Sequence, residues 1–367
     1  RPDGLKIEQE LSDILSNGLD VFKLNFVKVH VKLESLLKED PITSFKEQKQ
    51  RIIVWQVKGI TVMYSALFKH AKTRTKSLLR PGVIYADGYR PDQLASEIAN
   101  TPVVEDGWFT EDDLTQQDKQ TDGPDISLEM QWYAYVGVSK SVLDSWLRVH
   151  RGWRAKGKYL TFMGDFMRLT GQATTALGNF LINAFIHAEL IKTLGSRVKL
   201  VLFLGDDNLI YHQYEVDMTK WKRRTADKYN MYSKAKGRRS VGQFCSMLVT
   251  EGDGTKLHLC PDLVRLKRRY EVTNGVSAIK SVNMEMRAMS YCLMLGPTQA
   301  TVQLVKQNQW PITMVSWYDP GLAETATAVF NGVATEFVRA NVSNLEQMLA
   351  TTRSYTVRLL LSTTGPK

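Results

Sequence analysis

The chain has 367 residues, 43% of them apolar, enough to bury a large core and above the usual single-domain range, so subdomains around one continuous fold are expected. Its 48 Lys and Arg against 38 Asp and Glu give a formal charge of +10, which suits a polyanionic partner and equally suits a protein with a merely basic surface. Cys245, Cys260 and Cys292 show no CxxC spacing, which argues against a disulfide framework or a zinc cluster and for a reducing compartment. The opening RPDGLKIEQE lacks the apolar centre of a signal peptide, and no apolar run approaches the ~18 residues of a membrane span. A soluble chain, or one brought to membranes by partners, is expected. The first residue is Arg and the last residues are STTGPK, so a piece of a longer polypeptide is also expected. No fixed-period repeat and no low-complexity segment appears, leaving one irregular α+β enzyme as the reading.

In chain order, the spacing of Leu15, Leu19, Phe22 and Phe26 predicts helix, and RIIVWQV at 51–57 predicts a strand. Pro41, Pro81, Gly82, Gly88 and Pro91 punctuate the region around them. After a short loop rich in Asp, Gly and Pro, residues 128–150 carry apolar side chains at helical period, and a further helix is predicted from about Thr174 to Lys192. VKLVLFL at 198–204, then GDD, then NLIYH read as a hairpin with acids at its turn. From about residue 275, spacings such as Met284, Met286, Met289 and Leu293 predict mostly helix.

Joining a nucleoside triphosphate to a growing strand is an in-line displacement at phosphorus, and two divalent ions ~4 Å apart can stabilise the attacking and leaving oxygens. Mg²⁺ takes hard oxygen ligands and keeps waters or phosphates in its shell, so two or three Asp residues suffice. Asp206 and Asp207 sit at the predicted turn, where Gly205 permits a tight backbone. Taken alone, GDD should occur in on the order of one chain in ten of this length, usually as a solvated turn. EDDLTQQDKQTD contains the DxxxxD pair Asp113 and Asp118. With a strand ending near Thr115, Asp113 faces the metals and Asp118 lies over the incoming sugar; the bland reading is an acidic loop. TGQATTALGN at 170–179 places Thr175 and Asn179 four residues apart after flexible Gly171. That spacing puts both on one helix face, within reach of a ribose or template backbone. A helix cap would account for Thr170 and Gly171 but not for Asn179.

In this order, the three segments resemble motifs A, B and C of positive-strand RNA virus polymerases, most nearly the alphavirus-like supergroup that includes the tobamoviruses. The resemblance makes Asp113 the first metal-binding Asp of motif A and Asp118 its ribose-sensing Asp. TGQATTALGN matches (S/T)GxxxTxxxN, and VLFLGDDNLI matches the motif C hairpin, including Asn208 after the acids. GQFCSMLVTEGDGTKLHLCPDLVRLKRR at 242–269 resembles motif E, with FC opening a strand, then a turn, then a Pro-containing segment leading into a basic helix. VKLES at 31–35 and KQRII at 49–53 resemble the split motif F, which implies triphosphate contacts from Lys32, Lys49 and Arg51. KYNMYSKAKGRR stands where motif D belongs; its proton donor to pyrophosphate would be Lys234 or Lys236. The pattern departs at Gln117, where relatives carry an aromatic residue, at Gln120 and Thr121 in place of a Ser-Gln pair, and at Thr170, where Ser is commoner.

The resemblance implies an α+β right hand: N-terminal fingers over 1–105, palm with motif A over 106–125, a fingers insertion over 126–165, palm with motifs B to E over 166–271, and a helical thumb over 272–367. It implies RNA-directed RNA synthesis from ribonucleoside triphosphates, with Asp113, Asp206 and Asp207 holding two Mg²⁺ ions, Mn²⁺ being able to substitute. Asp118, Gly171, Thr175 and Asn179 would surround the nucleotide. Implied partners are template and nascent RNA, together with helicase and capping domains of a larger replicase. The implied place is the host cytoplasm, at membranes reached through partners. A reverse transcriptase is the nearest rival, disfavoured by Leu204-Gly205 before the acids and by an Asp and Asn pair in place of a bulky sugar gate. A catalytically silent RNA-binding subunit is a second rival, weakened by retention of all three metal-site Asp residues. A generic basic binding module leaves the motif order unexplained.

Overall fold

The computed structural model describes residues 2–18, 24–31, 52–157, 161–239, 241–251 and 254–261. Helix α1 (Pro2–Asn17) stops before Gly18, whose φ of +75° is the left-handed setting common at helix ends. Of the helical reading through Leu15, Leu19, Phe22 and Phe26, Leu15 lies in α1 and only Phe26 is corrected. Leu15 is 85% exposed, residues 19–23 lie outside the described residues, and Phe26 opens a strand, β1 (Phe26–Val31). FVKVHV alternates with period two, so its apolar set can face one core only as a strand.

The predicted strand at 51–57 is β2 (Ile52–Gln56). Helix α2 (Lys58–Ser77) buries Ile60, Tyr64, Phe68, Ala71 and Thr75, a stripe at three- and four-residue steps. It is followed by β3 (Val83–Tyr85), α3 (Pro91–Ile98), β4 (Gly107–Asp113) and the single turn α4 (Gln117–Gln120). The stretch 128–150 falls in two helices rather than one, α5 (Gly123–Tyr135) and α6 (Lys140–Val149). Gly137, at φ +89°, breaks the run between them. Next come β5 (Trp153–Lys156), β6 (Thr161–Gly164) and α7 (Thr175–Leu194). The acidic hairpin is β7 (Val198–Leu204) and β8 (Asp207–Gln213), followed by α8 (Met218–Tyr229) and β9 (Lys236–Arg239). Strands β10 (Val241–Phe244), β11 (Met247–Thr250) and β12 (His258–Pro261) close the described chain. Phe244 therefore ends a strand and Cys245 sits in the turn after it, correcting the expectation that FC opens one.

Three sheets result. The central one has the order β3-β7-β8-β4-β9, the second β2-β1-β5-β6, and the third β10-β11-β12. The second draws strands from residues 26–56 and 153–164 together. Val83–Tyr85, within the first 105 residues, pair in parallel with β7 inside the central sheet. Its middle strands are covered on both sides. Along β7, Val201 and Phe203 join the core built on α7, whereas Leu200 and Leu202 join the core with Phe244, Val249 and Leu259. Alternate side chains of a strand point to opposite faces, so a nearly continuous apolar run is what two covered faces require. Tyr85 stacks on Phe180 with ring centroids 4.1 Å apart, seating α7 against the sheet.

Among the described residues no helix is long and apolar enough to cross a membrane. Lys32, Lys49 and Arg51, and the helical region expected over 272–367, lie outside the described residues.

Candidate active site

Leu204 pairs with Asp207, so only Gly205 and Asp206 form the turn between β7 and β8. Gly205 has φ +60° and Asp206 has no positive φ, the pattern of a II′ turn, which matches the right-handed twist of its strands. On the neighbouring strand Asp113 stands directly opposite Asp207. Pairing β4 with β8 thus gathers the acids of two distant segments at one end of the sheet. Asp206 is exposed, yet packing around the turn, together with repulsion from Asp207, Asp118 and Asp113, raises its carboxyl above the usual range. Such a set of hard, mutually repelling oxygens fits a divalent cation. Among the described residues no three His, Cys, Asp or Glu side chains converge as a complete cage; Mg²⁺-type sites commonly complete their shell with substrate phosphates and water.

Beyond Asp113 the chain leaves the strand. Leu114 bridges to Ser233, Gln116 adopts a left-handed φ of 51°, and Asp118 is carried on α4. Nδ2 of Asn179 donates to Oδ1 of Asp118 at 2.7 Å, which brings the second acid and the last polar residue of 170–179 together. Gln117, in the place where relatives carry an aromatic residue, is buried, and its Nε2 donates to the Asn179 carbonyl at 2.9 Å. The Thr175 hydroxyl donates to Leu169 O at 2.7 Å and accepts from the Gln172 amide at 3.1 Å. It holds the 169–175 loop, while Asn179 one turn further on reaches Asp118. Gly171 lies against Trp55, where a Cβ would come within 2.6 Å of Trp55 Cβ, so only glycine fits this approach.

The two candidate lysines are placed differently. Lys234 Nζ lies 2.8 Å from Asp113 Oδ2, both groups being about half exposed. Lys236 begins β9, in register with Glu111. Both line a cavity of about 350 Å³ together with Asp113, Asp207, Gln243, Cys245 and Ser246. Burial first, then the charge and hydrogen bond of Asp207, pushes the Cys245 thiol up, so it remains a protonated neighbour of the carboxylate.

Sequence reasoning missed the buried support behind this surface. Asp112, whose side chain points away from that of Asp113, is 3% exposed. It accepts from Ser233 Oγ at 2.7 Å and Trp221 Nε1 at 3.0 Å, and lies 3.1 Å from His187 Nε2. Burial opposes its ionisation, but the hydrogen bond and charge of His187, with the other two donors, hold its carboxyl below the usual range. Asn208 Nδ2 donates to Asp112 O and to Asn183 Oδ1, each at 2.9 Å. Asn183 Nδ2 in turn donates to Asp206 O at 2.9 Å and Gly205 O at 3.2 Å. The acidic turn is therefore clamped to α7. The signal was present: Asn183 and His187 continue the four-residue steps of Thr175 and Asn179 along an otherwise apolar helix.

A second buried pair sets the loop before α7. Arg168 and Glu129, both with fully buried side chains, form an ion pair, with Tyr133 OH 2.5 Å from Glu129 Oε1. It joins α5 to the segment leading into TGQATT.

Comparison with known proteins identifies the family and the fold. The sequence pattern of the RNA dependent RNA polymerase family matches residues 6–274. RNA-directed RNA polymerase 2a of alfalfa mosaic virus is 27% identical over 202 residues, 54% of this chain and 25% of that protein. The protein of the same name from olive latent virus 2 is 29% identical over 160 residues, 43% of this chain and 20% of that protein. The chain thus spans a quarter or less of the length of these relatives. Among solved structures, the RNA-dependent RNA polymerase of a human picorbirnavirus superposes with a TM-score of 0.55 at 11% identity, covering 80% of this chain and 62% of that one. Its insertion-loop deletion mutant gives 0.52 at 11% identity over 86% and 61%. These likenesses show the right-hand polymerase fold. With the family pattern covering most of its length, the chain belongs to the viral RNA dependent RNA polymerase family.

Proposed function

We propose that this chain is the catalytic core of a replicase that copies an RNA template, adding ribonucleotides to an RNA 3′ end. The observation that carries the reading is the placement of Asp113, Asp206 and Asp207 at one end of the central sheet by strand pairing, beside an Asp118 hydrogen-bonded to Asn179. Asp113, Asp206 and Asp207 would hold two Mg²⁺ ions, or Mn²⁺ in their place. When bound, such ions neutralise triphosphate charge and lower the pKa of the attacking hydroxyl.

The chain's own residues supply the rest. Asp118 and Asn179 present an acceptor and donors at the same point, a pair suited to a ribose 2′ hydroxyl. Thr175 and Gly171 shape the loop beside it. Lys234, next to Asp113, is the better placed of the two lysines to give a proton to pyrophosphate. Lys32, Lys49 and Arg51 are proposed triphosphate contacts by resemblance. Phosphate contacts from Lys and Arg would make the grip on template and product largely independent of sequence and weaker in salt. Fingers over 1–105 and 126–165, palm over 106–125 and 166–271 and thumb over 272–367 remain the proposed division.

A partial match to the replicase polyprotein 1ab of beet yellows virus, 25% identical over 190 residues and 6% of that protein, supports work within a larger replicase. Helicase and capping domains are the proposed partners, in host cytoplasm at membranes reached through them.

The test is incorporation of labelled ribonucleotides on a primed RNA hairpin with Mg²⁺ or Mn²⁺, comparing the parent with Asp206→Ala. Extension that disappears in the variant supports the reading. An RNA-binding parent that extends nothing with either ion, alone or in the longer polypeptide, would favour a silent subunit.

A further inference from the structure

Around Asp118, the sequence departs from the pattern it resembles at Gln117, Gln120 and Thr121, and all three residues hold the turn α4 by hydrogen bonds. The Thr121 hydroxyl and amide both donate to the Gln117 carbonyl, at 3.0 and 2.9 Å. Gln120 Oε1 accepts from the Tyr232 amide at 2.9 Å, tying the turn to the segment that carries Lys234. Gln117 Nε2 donates to the Asn179 carbonyl at 2.9 Å, tying it to α7. The Asp118 carbonyl itself accepts from the Arg168 amide at 3.1 Å.

Packing alone does not account for Gln117. It is 1% exposed, a setting in which an apolar side chain is the ordinary occupant. Its Oε1 is buried without a hydrogen-bond partner among the described residues, so burial leaves one end of the amide unsatisfied, which lowers stability. The donor end is the one in use. It reaches the main chain of Asn179, the residue whose side chain donates to Asp118 at 2.7 Å. Residues 117 and 118 therefore grip Asn179 at two points, backbone and side chain. Because α4 is a single turn entered through a left-handed Gln116, the Gln117 bond matters to its seating: it reaches the α7 backbone rather than a rotatable side chain.

We infer that Gln117 is a positioning residue for sugar selection: it fixes α4 against α7, so that Asp118 and Asn179 are already paired when a ribose 2′ hydroxyl arrives. The inference rests on the polymerase reading and on that pair as the sugar sensor. A site preset to hydrogen-bond a hydroxyl rejects the analogue that lacks it, because the site's polar groups are then left unpaired. A pair free to drift apart discriminates less. Gln117 is buried and acts through Asn179, so its loss should fall on recognition of the 2′ hydroxyl, and only while Asn179 keeps its side chain.

The experiment extends a primed RNA hairpin with the full chain and compares the parent with Gln117→Met, which is near in shape but has no donor. It reads kcat/KM for a ribonucleotide over kcat/KM for its 2′-deoxy analogue. Taken on one preparation, this ratio does not depend on the fraction of enzyme that is folded. It should fall by about twofold to tenfold in Gln117→Met, the value of one net hydrogen bond, while the thermal midpoint stays at or above the parent's. In the Asn179→Ala background the same substitution should leave the ratio unchanged, because the side chain that Gln117 places is gone. An unchanged ratio in Gln117→Met, with or without a lowered midpoint, would overturn the inference and make Gln117 a packing residue. An equal further fall in the Asn179→Ala background would also overturn it, since Gln117 would then act by another route. A parent that extends neither nucleotide overturns the polymerase reading and this inference with it. A parent that prefers the ribonucleotide, matched in that preference by Gln117→Met, overturns this inference alone.

Discussion

Lys234 and Asp113 come from segments 121 residues apart, yet their Nζ and Oδ2 atoms lie 2.8 Å from each other. The contact exists because Leu114 bridges to Ser233 and the Lys234 amide donates to the Asp113 carbonyl at 3.1 Å, so backbone pairing places the ammonium before any substrate arrives. Lys234→Ala should lower kcat for nucleotide addition by about tenfold to a hundredfold, the range of a lost general acid, with a smaller change in KM. Lys236→Ala, at the Glu111 register, should change kcat less. Single-nucleotide kinetics at saturating template decide it, and the reverse order of effects would move the proton donor to Lys236.

Asn179→Ala should reduce the preference for ribonucleotides. The variant leaves Asp118 without its donor, and a lost hydrogen bond to a charged group is worth about 1.5–3 kcal/mol. The ratio of kcat/KM for a ribonucleotide over its 2′-deoxy analogue should fall by about tenfold or more. An unchanged ratio would show that the pair does not read the sugar.

Asp112 should matter without touching substrate. Asp112→Ala removes the shared acceptor of Ser233, Trp221 and His187 and should cost about 3 kcal/mol or more in urea unfolding at neutral pH. The folded carboxyl lies below its unfolded range, so its stabilisation is present above the unfolded pKa of ~3.9 and is lost as pH falls through the folded value. The stability gap between parent and variant should therefore narrow below about pH 4. A gap that stays constant in acid would mean that its charge is not what stabilises.

His150 should make the fold acid-sensitive at a higher pH. Burial, followed by the nearby Arg168 charge, pushes its pKa down to about 4. The unfolded chain then binds a proton near pH ~6.5 that the folded chain refuses until about pH 4, and stability falls between those values by roughly 1.4 kcal/mol per unit at most. The neutral ring sits 2.9 Å from Trp146 O and 3.3 Å from Gln172 Nε2. His150→Gln should flatten this part of the pH profile, as read from unfolding midpoints between pH 7 and 4.5.

Gly178→Ala tests the packing of the Arg168–Glu129 pair. A Cβ there would lie 2.4 Å from Arg168 Nη2 and 2.6 Å from Glu129 Oε1. Displacing a buried ion pair should cost about 1–3 kcal/mol or more and lower the thermal midpoint. An unchanged midpoint would mean that the pair can move aside.

Local chemistry determined much of this protein. GDD between two β-branched and apolar runs is a hairpin turn by composition alone, and β7, the Gly205–Asp206 turn and β8 follow it. The four-residue step from Thr175 to Asn179 likewise specifies a helix face, and α7 runs two residues past the predicted end. Tertiary structure decided which acids meet. Nothing local to Asp113 indicates that it will pair with Asp207, or that neighbouring Asp112 will turn inward to Ser233, Trp221 and His187. Adjacent residues on a strand face opposite ways, so which of two Asp side chains is buried depends on what other segments bring to each face. The split of residues 128–150 at Gly137 and the end of α1 at Gly18 were decided by backbone conformation that apolar periodicity does not report. Sequence thus specified the chemical groups and their local spacing, while long-range pairing, which only the folded chain can make, turned them into one site.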